Sequence, residues 1–115
     1  MEKLCKIRDL QRAVAQFEMH FEKLYGIGLN EGMLLCSLSE SERLSSGEIG
    51  ELLGLTPSNT SKVIKSVENK GLVERVMGME DKRQMYFSLS RDGKVLLKKI
   101  KCGEIELPDL LNKLL

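Results

Sequence analysis

The chain has 115 residues, 42% hydrophobic and 30% charged, with a formal net charge of +1. That composition places it with ordinary single-domain globular proteins and excludes disordered and membrane-spanning classes. The net charge hides a division along the chain: residues 55–101 hold 11 Lys/Arg against 5 Asp/Glu. A cationic segment inside an acidic remainder can offer one face to a polyanion without making the whole chain a polyanion binder.

The first residues, Met1, Glu2, Lys3 and Leu4, move straight into mixed charge with no apolar leader segment, so a cytoplasmic chain with no membrane partner is expected. Ile7, Leu10, Val14, Phe17, Phe21 and Leu24 recur at steps of three and four, which predicts one long helix from about Glu2 to Tyr25. At 1.5 Å per residue such a helix runs roughly 36 Å, more than a domain this small can cover, so part of its stripe is expected to meet a second chain. Gly26 and Gly28 end it, and Asn30 is expected to cap a second helix through Met33, Leu34, Leu35 and Leu38.

Ser45 and Glu48 have capping-box spacing, so a third helix is expected from Ser46, with Ile49, Leu52 and Leu53 inward and Gly54 closing it. Thr56 caps the next helix and Pro57 takes its first position, where a missing N–H costs nothing. That fourth helix runs from Pro57 to Lys70, with Val63, Ile64 and Val67 inward and Ser58, Asn59, Ser61, Lys62, Lys65 and Asn69 outward. The period then changes to two in residues 72–76 and 84–89, a hairpin whose second strand turns Met85, Phe87 and Leu89 to one side. Its tip carries Glu80, Asp81, Lys82 and Arg83. Ser90 is expected to cap a last amphipathic helix through Val95, Leu96 and Ile100, ended by Gly103, and Pro108 restarts a short leucine-rich turn.

A helix, a tight turn, a second helix with short polar and cationic residues outward, and a hairpin with a basic tip predict a mainly α winged helix-turn-helix. Short donors such as Asn59 and Ser61 let the backbone approach base edges, while Lys62 and Lys65 reach phosphates. Arg83 is the cation suited to a narrow minor groove, where the potential is most negative. The expected partner is therefore double-stranded DNA. Enzyme chemistry is not expected: His20 has no second ligand or base at useful spacing, and Gly26-Ile27-Gly28 lacks the strand and third glycine of a phosphate loop. Cys5, Cys36 and Cys102 suit neither a disulfide framework nor a zinc knuckle, so no metal or cofactor is expected, and Cys36 reads as core.

From Asn30 to Leu96 the chain resembles the multiple antibiotic resistance regulator (MarR) family. The match is carried by Leu53-Gly54-Leu55-Thr56, by Lys70-Gly71-Leu72-Val73-Glu74-Arg75, by Asp81-Lys82-Arg83 and by Leu89-Ser90 with Gly93 behind. The resemblance implies a ligand- or signal-responsive transcriptional regulator. It would act as a two-fold homodimer held by its first and last helices, on a pseudo-palindromic operator. Residues 1–28 and 91–115 would then supply dimerisation helices, and 30–90 the DNA-binding winged lobe. By the same resemblance Asp81 holds Arg83 for the minor groove, and Ser61 and Lys62 face DNA. Lys82 and Arg75 join the DNA-contacting set. The family's usual arginine is replaced by Lys62, which keeps the charge but loses the bidentate fork, so a phosphate contact is expected there. The resemblance further implies a small aromatic effector in a cleft lined by Phe17, Phe21 and Met33. Cys5 lies roughly where peroxide-sensing relatives keep a reactive thiol, which leaves a redox-sensing regulator as one alternative. A winged helix used as a protein-interaction module is the other.

Overall fold

The computed structural model describes residues 2–78, 80, 81, 83–103 and 107–114. In chain order the elements are α1 (Glu2–Tyr25), α2 (Leu29–Glu40), β1 (Leu44–Ser45), α3 (Ser46–Leu53), α4 (Pro57–Asn69), β2 (Val73–Met77), β3 (Met85–Leu89), α5 (Arg91–Cys102) and α6 (Asp109–Leu114). They fall into two compact units, Met1–Leu29 with Gly103–Leu115, and Asn30–Cys102.

In the first unit α6 packs on α1. Pro108 and Leu110 share a cleft with Ala13 and Gln16, and the rings of Phe17, Phe21 and Tyr25 follow one another at centroid distances of 6.0 and 5.0 Å. Phe21 and Ala13 are buried, whereas Leu4, Ile7, Val14 and Leu24 are exposed. The apolar stripe read from the sequence is therefore only partly covered within the chain.

In the second unit α2 contributes Leu34, Leu35 and Leu38 to a core completed by Ile49 of α3, Ile64 and Val67 of α4, Phe87 of β3 and Leu97 of α5. The sheet is antiparallel in the order β1-β3-β2. The hairpin register runs from Val73 opposite Leu89 to Met77 opposite Met85, and β1 adds Leu44 opposite Phe87 on the other edge. This third strand has only two residues, too few to show an alternation of its own.

Several local expectations are corrected. Asn30 lies inside α2, which starts at Leu29, and does not cap it. Cys36 is exposed, because the helical period carries it away from Leu34, Leu35 and Leu38, and adjacency to leucines is no guide to a helix face. Leu52 is 61% exposed, and the inward side of α3 is Ile49 and Gly50. Val95 is 51% exposed, while Leu97 turns inward from α5.

The start of α5 is fixed on the turn after α4. Ser90 Oγ donates to the Gly71 carbonyl at 2.6 Å and accepts from Gly93 N at 3.0 Å, and Ser90 N donates to the Leu72 carbonyl at 3.0 Å. A Cβ on Gly93 would come within 2.0 Å of the Leu72 oxygen, so only glycine permits this approach. These contacts place α5 in the same unit as the winged lobe, with α1 and α6 forming the other.

Candidate nucleic-acid interface

The two helices of the helix-turn-helix are punctuated by side-chain caps. Ser45 N donates to Glu48 Oε1 at 2.9 Å and Glu48 N donates to Ser45 Oγ at 3.2 Å, the reciprocal capping box that starts α3. The Ser45 backbone N–H, and after it the Ser45 side chain, hold the Glu48 carboxyl below its usual range. Gly54 closes α3 at φ 67°, a left-handed conformation that side chains resist. Leu55 N then donates to the Gly50 carbonyl at 2.9 Å. Thr56 Oγ1 accepts from Asn59 N at 3.2 Å and starts α4.

The helices approach closely where Gly50 faces Thr60. A Cβ on Gly50 would lie 2.9 Å from Thr60 Oγ1, and the Thr60 hydroxyl, buried, donates to the Thr56 carbonyl at 2.8 Å. Thr60 was not singled out in the sequence, although its spacing to Ile64 and Val67 carries a readable signal: the three share the buried side of α4.

With Thr60, Ile64 and Val67 inward, the opposite side of α4 is left to solvent. Ser58, Asn59, Ser61, Lys62 and Lys65 are all exposed, as expected. Among the described residues no carboxylate forms a salt bridge with Lys62 or Lys65. Short hydroxyl and amide side chains and two ammonium groups thus share the solvent side of α4, a set able to donate to base edges and phosphates.

The wing is joined to this helix through Arg75. From β2 its Nε donates to Glu68 Oε2 at 2.6 Å and its Nη2 to Glu68 Oε1 at 3.0 Å, a two-point bond between wing and α4. The hydrogen bond to Glu68, and then its charge, hold the guanidinium pKa above its ordinary value. At the tip Arg83 N and Nε both donate to Asp81 Oδ1, at 2.9 and 3.3 Å. Gly78 N donates to the Gln84 carbonyl at 2.8 Å and Gln84 N to the Asp81 carbonyl at 3.0 Å, which closes the loop behind them. Lys82 lies outside the described residues. One cation was missed: Arg43, just before β1, sits 4.5 Å over the Tyr86 ring. Its placement depends on the β1–β3 pairing, for which the local sequence carries no signal.

Phe21 is buried, Phe17 is half-buried and Met33 is exposed, the first two in one compact unit and Met33 in the other. Cys5 is an exposed free thiol. Among the described residues no group of three or more His, Cys, Asp and Glu could hold a metal ion, and no helix is long and apolar enough to cross a membrane.

Comparison with known proteins agrees with this architecture. The chain is 32% identical over 84 residues to the organic hydroperoxide resistance transcriptional regulator of Bacillus subtilis, a match covering 73% of this chain and 56% of that protein. It is 26% identical over 114 residues to the HTH-type transcriptional regulator SarV of Staphylococcus aureus, covering 96% of this chain and 97% of that one. Among solved structures, the S. aureus MepR–DNA complex superposes with a TM-score of 0.74 at 21% identity, over 83% of this chain and 71% of that one. The chain thus spans about half the length of some curated relatives, 56% in the first case. The MarR family model matches residues 27–85, just over half of the sequence and most of the helix-turn-helix and wing. The chain belongs to the MarR family.

Proposed function

We propose that this chain is a sequence-specific, double-stranded DNA-binding transcriptional regulator of the cytoplasm. The observation that carries the reading is the outward side of α4, polar and cationic throughout, beside a wing whose Arg83 is pinned by Asp81. Helix α4 enters the major groove, Asn59 and Ser61 read base edges, Ser58, Lys62 and Lys65 meet the backbone, and the wing residues 81–83 enter the flanking minor groove. Arg75, bonded to Glu68 of α4, would join the DNA-contacting set at the junction of wing and helix. No large apolar residue of α4 is exposed, which disfavours a protein-interaction surface, since such a surface has an apolar centre.

The reading includes a homodimer. Leu4, Ile7, Val14 and Leu24 on α1, with Leu110 and Leu114 on α6, remain exposed, and a second copy would cover them. Two α4 helices would then meet a pseudo-palindrome with half-sites about one helical turn apart. A small aromatic effector, as the family resemblance implies, would act on the dimer through Phe17, Phe21 and Met33. Selection of bound sequences from random duplex DNA tests the function: a two-fold related consensus is expected, and recovery of no enriched sequence would reject it.

A further inference from the structure

Helix α4 is gripped near both ends. Near its start Thr60 lies against Gly50 of α3. Near its end a carboxylate from the first turns of α2 takes hold: Lys70 Nζ donates to Glu31 Oε1 at 3.2 Å and Oε2 at 3.0 Å, and Ser66 Oγ donates to Oε2 at 3.2 Å. Ser66 and Lys70 are one turn apart and present their donors on the same side. The Glu31 side chain is 13% exposed and that of Lys70 41%, so the carboxylate is shielded while the ammonium stays in contact with water, and the three bonds fix geometry more than they add stability. Helix α2 is itself fixed in the core by Leu34, Leu35 and Leu38.

We propose that Glu31 is a positioning residue for the recognition helix: it sets the angle of α4 through Ser66 and Lys70 on the helix flank and passes any displacement of α2 to the DNA-facing surface. The inference rests on the DNA-binding reading. Helix α4 is held near its start by close packing that leaves little room to slide, so movement of the Glu31 carboxylate tilts the helix about Thr60. The side chains of Asn59, Ser61 and Lys62 lie near that pivot and Lys65 beyond it, so a tilt changes which of them reach a groove together. Lys70, although cationic and next to the wing, is thereby assigned to α2 and not to DNA.

The test compares Glu31→Gln, Glu31→Lys, Lys70→Glu and the charge-swapped double variant with the wild type. In DNA-free protein, amide exchange is followed at Lys70, Gly71 and Leu72, whose N–H groups bond the carbonyls of Ser66, Glu68 and Val67. Affinity is measured for the selected duplex and for a random one. Glu31→Lys and Lys70→Glu should speed exchange of those amides by about tenfold and lower the selected-to-random affinity ratio by about fivefold. Glu31→Gln, which keeps an acceptor for Ser66, should fall between them and wild type. The double variant should recover both properties, which a general loss of stability would not do. Unchanged exchange in the single variants, or a double variant no better than either, would overturn the proposal. If the wild type binds no duplex, the regulator reading fails while the exchange measurement still decides whether Glu31 holds α4.

Discussion

Asp81 holds Arg83 at two points through one oxygen, accepting from its backbone N at 2.9 Å and from its Nε at 3.3 Å. The guanidinium side chain is 93% exposed and the carboxylate 43%, so the pair contributes little to stability, as exposed ion pairs generally do. Its effect is on direction: it removes rotamers from a long side chain before DNA arrives. Asp81→Ala should therefore leave the melting temperature within about 2 °C of wild type, consistent with a loss of no more than about 0.5 kcal/mol. It should nevertheless weaken binding to sites with A·T-rich flanks, and Arg83→Ala should weaken it more. Equal losses on A·T-rich and G·C-rich flanks would place the wing outside the minor groove.

The Arg75–Glu68 bond makes a prediction of opposite sign. Glu68 neutralises a guanidinium at the edge of the proposed DNA face, so Glu68→Ala should release it toward phosphate. Affinity for random duplex should rise, and the salt slope should steepen by about one unit, the signature of one more phosphate contact. The same substitution in an Arg75→Ala background should do neither.

Gly93 tests how α5 is attached. Its missing side chain leaves room for the Leu72 carbonyl, which a Cβ would meet at 2.0 Å. That neighbour is backbone and itself bonded to Ser90 N at 3.0 Å, so it cannot move aside. Gly93→Ala should cost about 3 kcal/mol, at the upper end for overpacking, and denaturant melts would show it as a lower midpoint. Ser90→Ala, which removes both the bond to Gly71 and the bond from Gly93 N, should also destabilise, by about 1–2 kcal/mol.

The capping box predicts a pH dependence. The bond from Ser45 N lowers the folded-state pKa of Glu48, so the unfolded chain takes up its proton first as pH falls. The contribution is complete above the ordinary carboxylate range and is lost as pH drops through the lowered folded value. Glu48→Gln, which does not titrate, should remove this part of the acid sensitivity and leave stability at pH 7 slightly reduced. Ser45→Ala should cost about 1 kcal/mol at pH 7. An acid limb of the stability curve identical in wild type and Glu48→Gln would contradict the assignment.

The parts of this structure that could be read from sequence are those whose causes are local. Ser45 with Glu48, Gly54, Thr56 with Pro57, and Gly71 each fix the backbone within a few residues, and the helix boundaries they imply for α3 and α4 are observed within a residue. Asp81 and Arg83, two positions apart, likewise pair as the family resemblance implied. Errors arose where burial depends on a distant partner. Leu52, Val95 and Cys36 are apolar and stand among apolar neighbours, yet the helices they belong to turn other sides to the core. The two-residue β1 and the Arg43 stack on Tyr86 join residues 41 or 43 positions apart, and the grip of Glu31 on α4 joins residues 35 and 39 apart. No local period announces such contacts.

The most direct measurement is a salt titration of binding to the selected duplex and to a random one, for wild type and Lys62→Ala. Each phosphate contact releases condensed counterions, so wild-type affinity should fall steeply with salt on both DNAs while staying higher on the selected one at every concentration. Lys62→Ala should weaken binding to both and flatten the slope by about one unit. Equal affinity of the wild type for the two duplexes, or no binding to either at about 50 mM salt, would contradict the assignment of α4 as a DNA-reading helix.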